Sequence, residues 1–110
     1  MARSAYLFCS PVAGTPNPAP GVEKSKTTKE DLVAGLKDAF AYCDKAYASL
    51  TDANAADLVK FFGGERTKLN VLSFSFMHNY EHYGNMVTYM RMKNIVPPTS
   101  EPRTPPAAKK

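Results

Sequence analysis

Apolar and polar positions recur with a helical period over two long stretches of this chain. Leu32, Leu36, Phe40, Cys43, Tyr47 and Leu50 follow one another at intervals of three and four residues. That spacing gathers one apolar stripe and predicts a helix from about Thr28 to Leu50. Thr27-Thr28-Lys29-Glu30 precedes the stripe and reads as a capping box, with Thr27 as N-cap and Glu30 reaching back to it. A second long helix is predicted from near Thr67 to Lys93 or Asn94, ending where Pro97-Pro98 forces the chain to extend. Between them Thr51 to Thr67 breaks the period. Gly63-Gly64 reads as a turn there, and Val59-Lys60-Phe61-Phe62 as a short extended piece. Ala2 to Cys9 has the look of the last turns of a helix.

Proline divides the chain. Pro11, Pro16, Pro18 and Pro20 form one group and Pro97, Pro98, Pro102, Pro105 and Pro106 the other, with none from Gly21 to Val96. Proline fixes φ and lacks the backbone donor, so the first group predicts a loop and the second an extended tail. The domain is therefore expected over residues 1–98, with a Pro-rich, basic, disordered tail over 99–110. The fold class is all-α. Two full helices and a stump make an incomplete bundle, because each long stripe needs apolar cover. Either the chain dimerises or it is a shortened form of a larger four-helix domain, and both are expected.

At 110 residues, with 44% hydrophobic and 22% charged, the chain suits one small globular domain. No apolar run approaches the roughly 20 residues of a membrane helix, which leaves no membrane-spanning role. The formal charge is +4, yet half of it falls in the tail and no basic stripe interleaves with aromatics. Nucleic acid is not an expected partner. Two cysteines, Cys9 and Cys43, are too few for the framework of a small secreted domain, so a reduced cytoplasm is expected. Cys43 lies on an apolar stripe, where cysteine acts as a small hydrophobe. Cys9, closing the first helix, is expected to be exposed, and neither has an adjacent base to make it a nucleophile.

The candidate chemistry sits on the second long helix. The two histidines of the chain, His78 and His82, are four residues apart, so they fall on one helix face about 6 Å apart along the axis. Imidazoles at this spacing can share a metal ion, and the neutral ring is the ligand form. The same spacing also arises where a histidine simply bonds a neighbouring helix. A metal needs a third protein ligand, and among Asp31, Asp38, Asp44, Asp57, Glu65 and Glu81 the spacing singles out none. His78-Asn79-Tyr80-Glu81-His82 satisfies the inverted zinc-protease pattern H-x-x-E-H, but only 28 residues follow His82 and such enzymes are several times longer. Glu81 is either a base or a surface charge. The tyrosines and methionines read first as core or interface packing, and no phosphate-binding glycine loop is present.

The run His78-Asn79-Tyr80-Glu81-His82-Tyr83-Gly84-Asn85-Met86-Val87-Thr88-Tyr89-Met90-Arg91, followed by Ile95-Val96-Pro97-Pro98, resembles the last helix of the DinB-like family. There a stretch of the sense H-x-x-x-H-x-G-Q/N leads through an aromatic-x-R to a terminal I-x-P-P. The helix opened by Thr27-Thr28-Lys29-Glu30 looks like the third helix of that family. The resemblance covers roughly Ala2 to Pro98 and is specific mainly over His78 to Pro98.

It implies an up-down-down-up four-helix bundle, here truncated, with the first helix and most of the second missing. It also implies a divalent metal, zinc or nickel, held by three histidines, two of which match His78 and His82. The third is expected at or just before Met1, so the pattern is incomplete in this chain. Relatives include thiol-dependent transferases, which implies a low-molecular-weight thiol and a small electrophile as possible partners. Glu81, Asn85 and Tyr83 become candidates to orient the histidines or meet a substrate, and Arg91 a structural residue. A metal-free helical dimerisation module is the competing expectation.

Overall fold

A computed structural model describes residues 1–103, and the prolines and lysines beyond Arg103 lie outside the described residues. The element order is α1 (Ala2–Ala13), α2 (Val22–Ser25), α3 (Lys29–Ala48), β1 (Leu58–Phe61), β2 (Gly64–Thr67) and α4 (Lys68–Met92), then a 3₁₀ turn at Pro98–Ser100. The chain is mostly helical, as expected, but not all-α: β1 and β2 form an antiparallel pair with Leu58 opposite Thr67 and Phe61 opposite Gly64. Two compact units are present, Met1–Asn79 and a second beginning at Tyr80, with the division inside α4.

The first unit is organised around α1 and α3. Helix α1 is longer than the expected stump and runs through Pro11 into its last turn. Proline there costs one intrahelical bond near an end rather than breaking a helix in its middle. The helix stops at Gly14, whose φ of +70° is left-handed. Gly14 N–H donates to the Pro11 carbonyl and Thr15 N–H to the Ser10 carbonyl, the paired bonds of a Schellman ending. The stretch expected to be loop also contains α2, whose Val22 is buried over Gly35 of α3.

Helix α3 begins one residue later than the sequence predicted. Thr28, not Thr27, is the N-cap: its side chain accepts the Asp31 N–H at 3.1 Å. Glu30 is therefore not the return partner of a capping box. The helix ends at Ala48, short of Leu50.

Its buried face is Gly35, Ala39, Cys43 and Ala46, a stripe of small side chains. Of the larger residues on the predicted stripe, Leu32 is half exposed and Tyr47 more than a third. Small side chains let two helix backbones approach closely, and α1 answers with Ala5, Tyr6, Phe8, Cys9 and Val12. At this seam Cys9 and Cys43 are joined in a disulfide with their Cα atoms 5.3 Å apart. Cys9 is wholly buried, which corrects the expectation that it is exposed. Val71 and Leu72 of α4 complete the core, and the Tyr47 hydroxyl donates to the Leu72 carbonyl at 2.9 Å.

The hairpin arises where the helical period fails. Strand β1 alternates exposed and half-buried positions, with Val59 and Phe61 packed towards the core. The turn residues are Phe62 and Gly63, with φ of 48° and 72°, not the expected Gly63-Gly64. Positive φ at both centres is the turn whose twist suits a two-residue hairpin. Thr67 then caps α4 by accepting the Asn70 N–H at 3.1 Å.

In the second unit α4 ends before the prolines. Asn94 takes a left-handed φ of 57°, and Ile95 N–H and Asn94 N–H donate to the Met90 and Arg91 carbonyls, a second Schellman ending. The Tyr83 hydroxyl bonds Thr99 Oγ1 at 3.0 Å and accepts the Thr99 N–H, while Arg91 donates to Ser100 Oγ at 2.8 Å. These contacts hold the 3₁₀ turn at Pro98–Ser100. No helix among the described residues is long and apolar enough to cross a membrane.

Candidate metal centre

Both histidines belong to α4, His78 in the first unit and His82 in the second. Each is half-buried. The surroundings of His78 come from α1. Phe8, almost fully buried, stacks at a tilt with its ring centroid 5.4 Å from the His78 ring, 5.5 Å from Phe74 and 5.3 Å from Phe61. Phe8 thus packs three rings from α4 and β1 around itself, and His78 is one of them. Tilted aromatic contacts of this kind fix ring orientation and are each worth about 1 kcal/mol beyond the area buried.

The other candidate residues divide by exposure. Glu81 and Asn85 are exposed, so neither is held by packing. Tyr83 is half-buried, and its hydroxyl is already engaged with Thr99. That use is structural. Arg91 likewise ties α4 to Ser100. Cys9 and Cys43, being bonded to each other, offer neither a thiolate ligand nor a nucleophile.

Among the described residues no group of three His, Cys, Asp or Glu converges at metal-binding distance. The donor set therefore fits a metal only in part. Two imidazoles at i and i+4 are suitable ligands, and a third position must be filled by water, by a group of a second molecule, or by another donor.

Sequence reasoning found the histidines from spacing but missed Phe8, for which no local signal exists: it lies 70 residues away from His78 in sequence. Comparison with protein-family models, with curated proteins and with solved structures finds no match for this chain in any of the three.

Proposed function

We propose that this chain is a DinB-like helical protein that binds a divalent metal, zinc or nickel, through His78 and His82. The reading rests on the α4 sequence from His78 to Pro98. What supports it is the i, i+4 spacing of His78 and His82 in the α4 sequence, each residue being half-buried. When bound, such an ion acts as a Lewis acid that makes water or a thiol a nucleophile near neutral pH. The chain's own part is to hold the two rings. Phe8 limits rotation of the His78 ring, and Glu81 and Asn85 stand at the exposed edge of the helix, where an arriving electrophile would meet them.

Metal content of the purified chain tests this. About one zinc or nickel ion per chain or per dimer is expected, lost in both His78→Ala and His82→Ala. His82→Ala is the cleaner arm, since His78→Ala also removes a packed ring. A folded protein that takes up no metal after incubation with either ion refutes the proposal.

A second reading, a metal-free dimerisation module, has an observation of its own. Leu69, Phe76 and Met77 of α4 are each more than half exposed beside Tyr47 and Leu50, with no charged residue lining the groove they form. These side chains leave on the order of 400 Å² of apolar surface uncovered, about half of what one partner contributes to a standard interface. A second copy presenting the same face is the occupant that completes it. A strictly monomeric metal-free chain refutes this reading.

A further inference from the structure

We infer that Cys9–Cys43 is a structural disulfide on which the first unit depends, so that the chain reaches its stable fold only where thiols are oxidised. The inference is independent of the metal reading and replaces the expectation of a reduced cytoplasm.

Three observations converge on it. Cys9 and Cys43 are the two cysteines of the chain and are paired with each other. Both are buried, at 0% and 6% exposure, in the middle of the α1–α3 seam. Ala5, Ala39 and Ala46 are among the buried residues of this core, and their small side chains leave room for the 5.3 Å Cα separation at which a disulfide forms. Those same side chains bury little apolar area. The larger core side chains, Tyr6, Phe8, Val12, Val22, Val71 and Leu72, are few, and a unit of this size is the kind that uses a covalent staple.

The bond closes a loop of 34 residues, long enough to remove much of the freedom of the unfolded chain. Its formation balances as a two-electron exchange. Each thiol loses a proton, the two sulfurs lose two electrons in forming the S–S bond, and the disulfide of a thiol–disulfide oxidoreductase accepts them and leaves as a dithiol. Once formed, burial keeps the bond from attack by solution thiolates.

The test compares the full chain made in an oxidising secretory compartment with the same chain made in a reducing cytosol. Each is unfolded in guanidinium with iodoacetamide and weighed by mass spectrometry, and each is melted with and without dithiothreitol. Material from the oxidising compartment should take no alkyl group until reduced, then two. Reduction should lower its melting temperature by roughly 15–30 °C, and cytosolic material should melt like the reduced sample. The Cys9→Ala/Cys43→Ala double variant should melt near the reduced chain and ignore dithiothreitol. Two free thiols in the oxidised preparation, or melting temperatures within a few degrees with and without the bond, would overturn the inference. If the double variant does not fold, reduced wild type decides: unfolding that reverses on reoxidation supports the inference, and full stability in the reduced state overturns it.

Discussion

Ala39→Leu separates the two possible faces of α3, because Ala39 lies on the small-residue stripe and is fully buried, while Leu32 lies on the large-residue stripe and is 50% exposed. Leucine at position 39 adds three carbon atoms between helices held one turn away by the Cys9–Cys43 bond. Overpacking of a filled core costs about 1–3 kcal/mol. The bond keeps α1 and α3 from separating to make room, so the upper end, about 3 kcal/mol, is expected. Leu32→Ala gives up at most half of a buried leucine's worth and gains helix propensity, a net loss under about 1 kcal/mol. Urea denaturation of the oxidised chain reads both. With a slope near 1 kcal/mol/M for a chain of this size, the midpoints should fall by roughly 2–3 M and by less than about 1 M. The reverse ranking would place the large stripe in the core and refute the small-residue seam. Repeating the Leu32→Ala melt at several protein concentrations removes the one confusion, a dimer that covers Leu32.

Two further predictions use the same assay. Thr28→Ala should cost about 1 kcal/mol through the lost bond to Asp31 N–H, and Thr27→Ala only a few tenths; the opposite order would move the start of α3 back to the capping box. Burial, then the Asp38 charge and neighbouring Tyr42, raise the Tyr6 hydroxyl above its ordinary value of 10.0. The unfolded chain therefore gives up that proton near pH 10 while the folded chain keeps it, so Tyr6 makes stability fall as pH rises above 10 and contributes no slope below. Denaturation from pH 8 to 11 should show this fall reduced in Tyr6→Phe, and an unchanged slope would refute it.

What could be read from the sequence was whatever depends on local period and on ends. Both long helices were legible because their apolar positions repeat over five turns or more, longer than any competing strand. The hairpin was half legible: Val59 to Phe61 alternated correctly, but a phenylalanine at φ 48° is a poor turn former, and nothing local announces it. The rings of the adjacent Phe61 and Phe62 lie 4.4 Å apart at this turn. Pro11 misled for the opposite reason. Proline signals that a helix cannot continue far and so predicts a boundary at its own position, whereas Gly14 three residues on is the residue that turns the chain. The His78–His82 spacing was visible, since it lies within one helix. Its ring neighbour Phe8 was not, because contacts between elements carry no period.

The face of α3 failed for a reason that also explains the disulfide. A search for apolar stripes weighs large side chains most, and by that measure Leu32, Leu36, Phe40 and Tyr47 define the inside. Close helix packing weighs the opposite property. Where α3 meets α1 its buried positions are glycine, alanine and cysteine, while Leu32 and Tyr47 are exposed and Leu36 and Phe40 only half-buried. Each small pair removes less apolar surface from water than a leucine pair would, at about 25 cal/mol/Å². A chain-entropy gain of about 4 kcal/mol from a 34-residue loop is then a large fraction of what a unit this small can muster. The short side chains that weaken the hydrophobic term are thus the ones that bring two sulfurs within bonding distance. Cysteine at position 43 serves both demands, as a small seam residue and as one end of the staple.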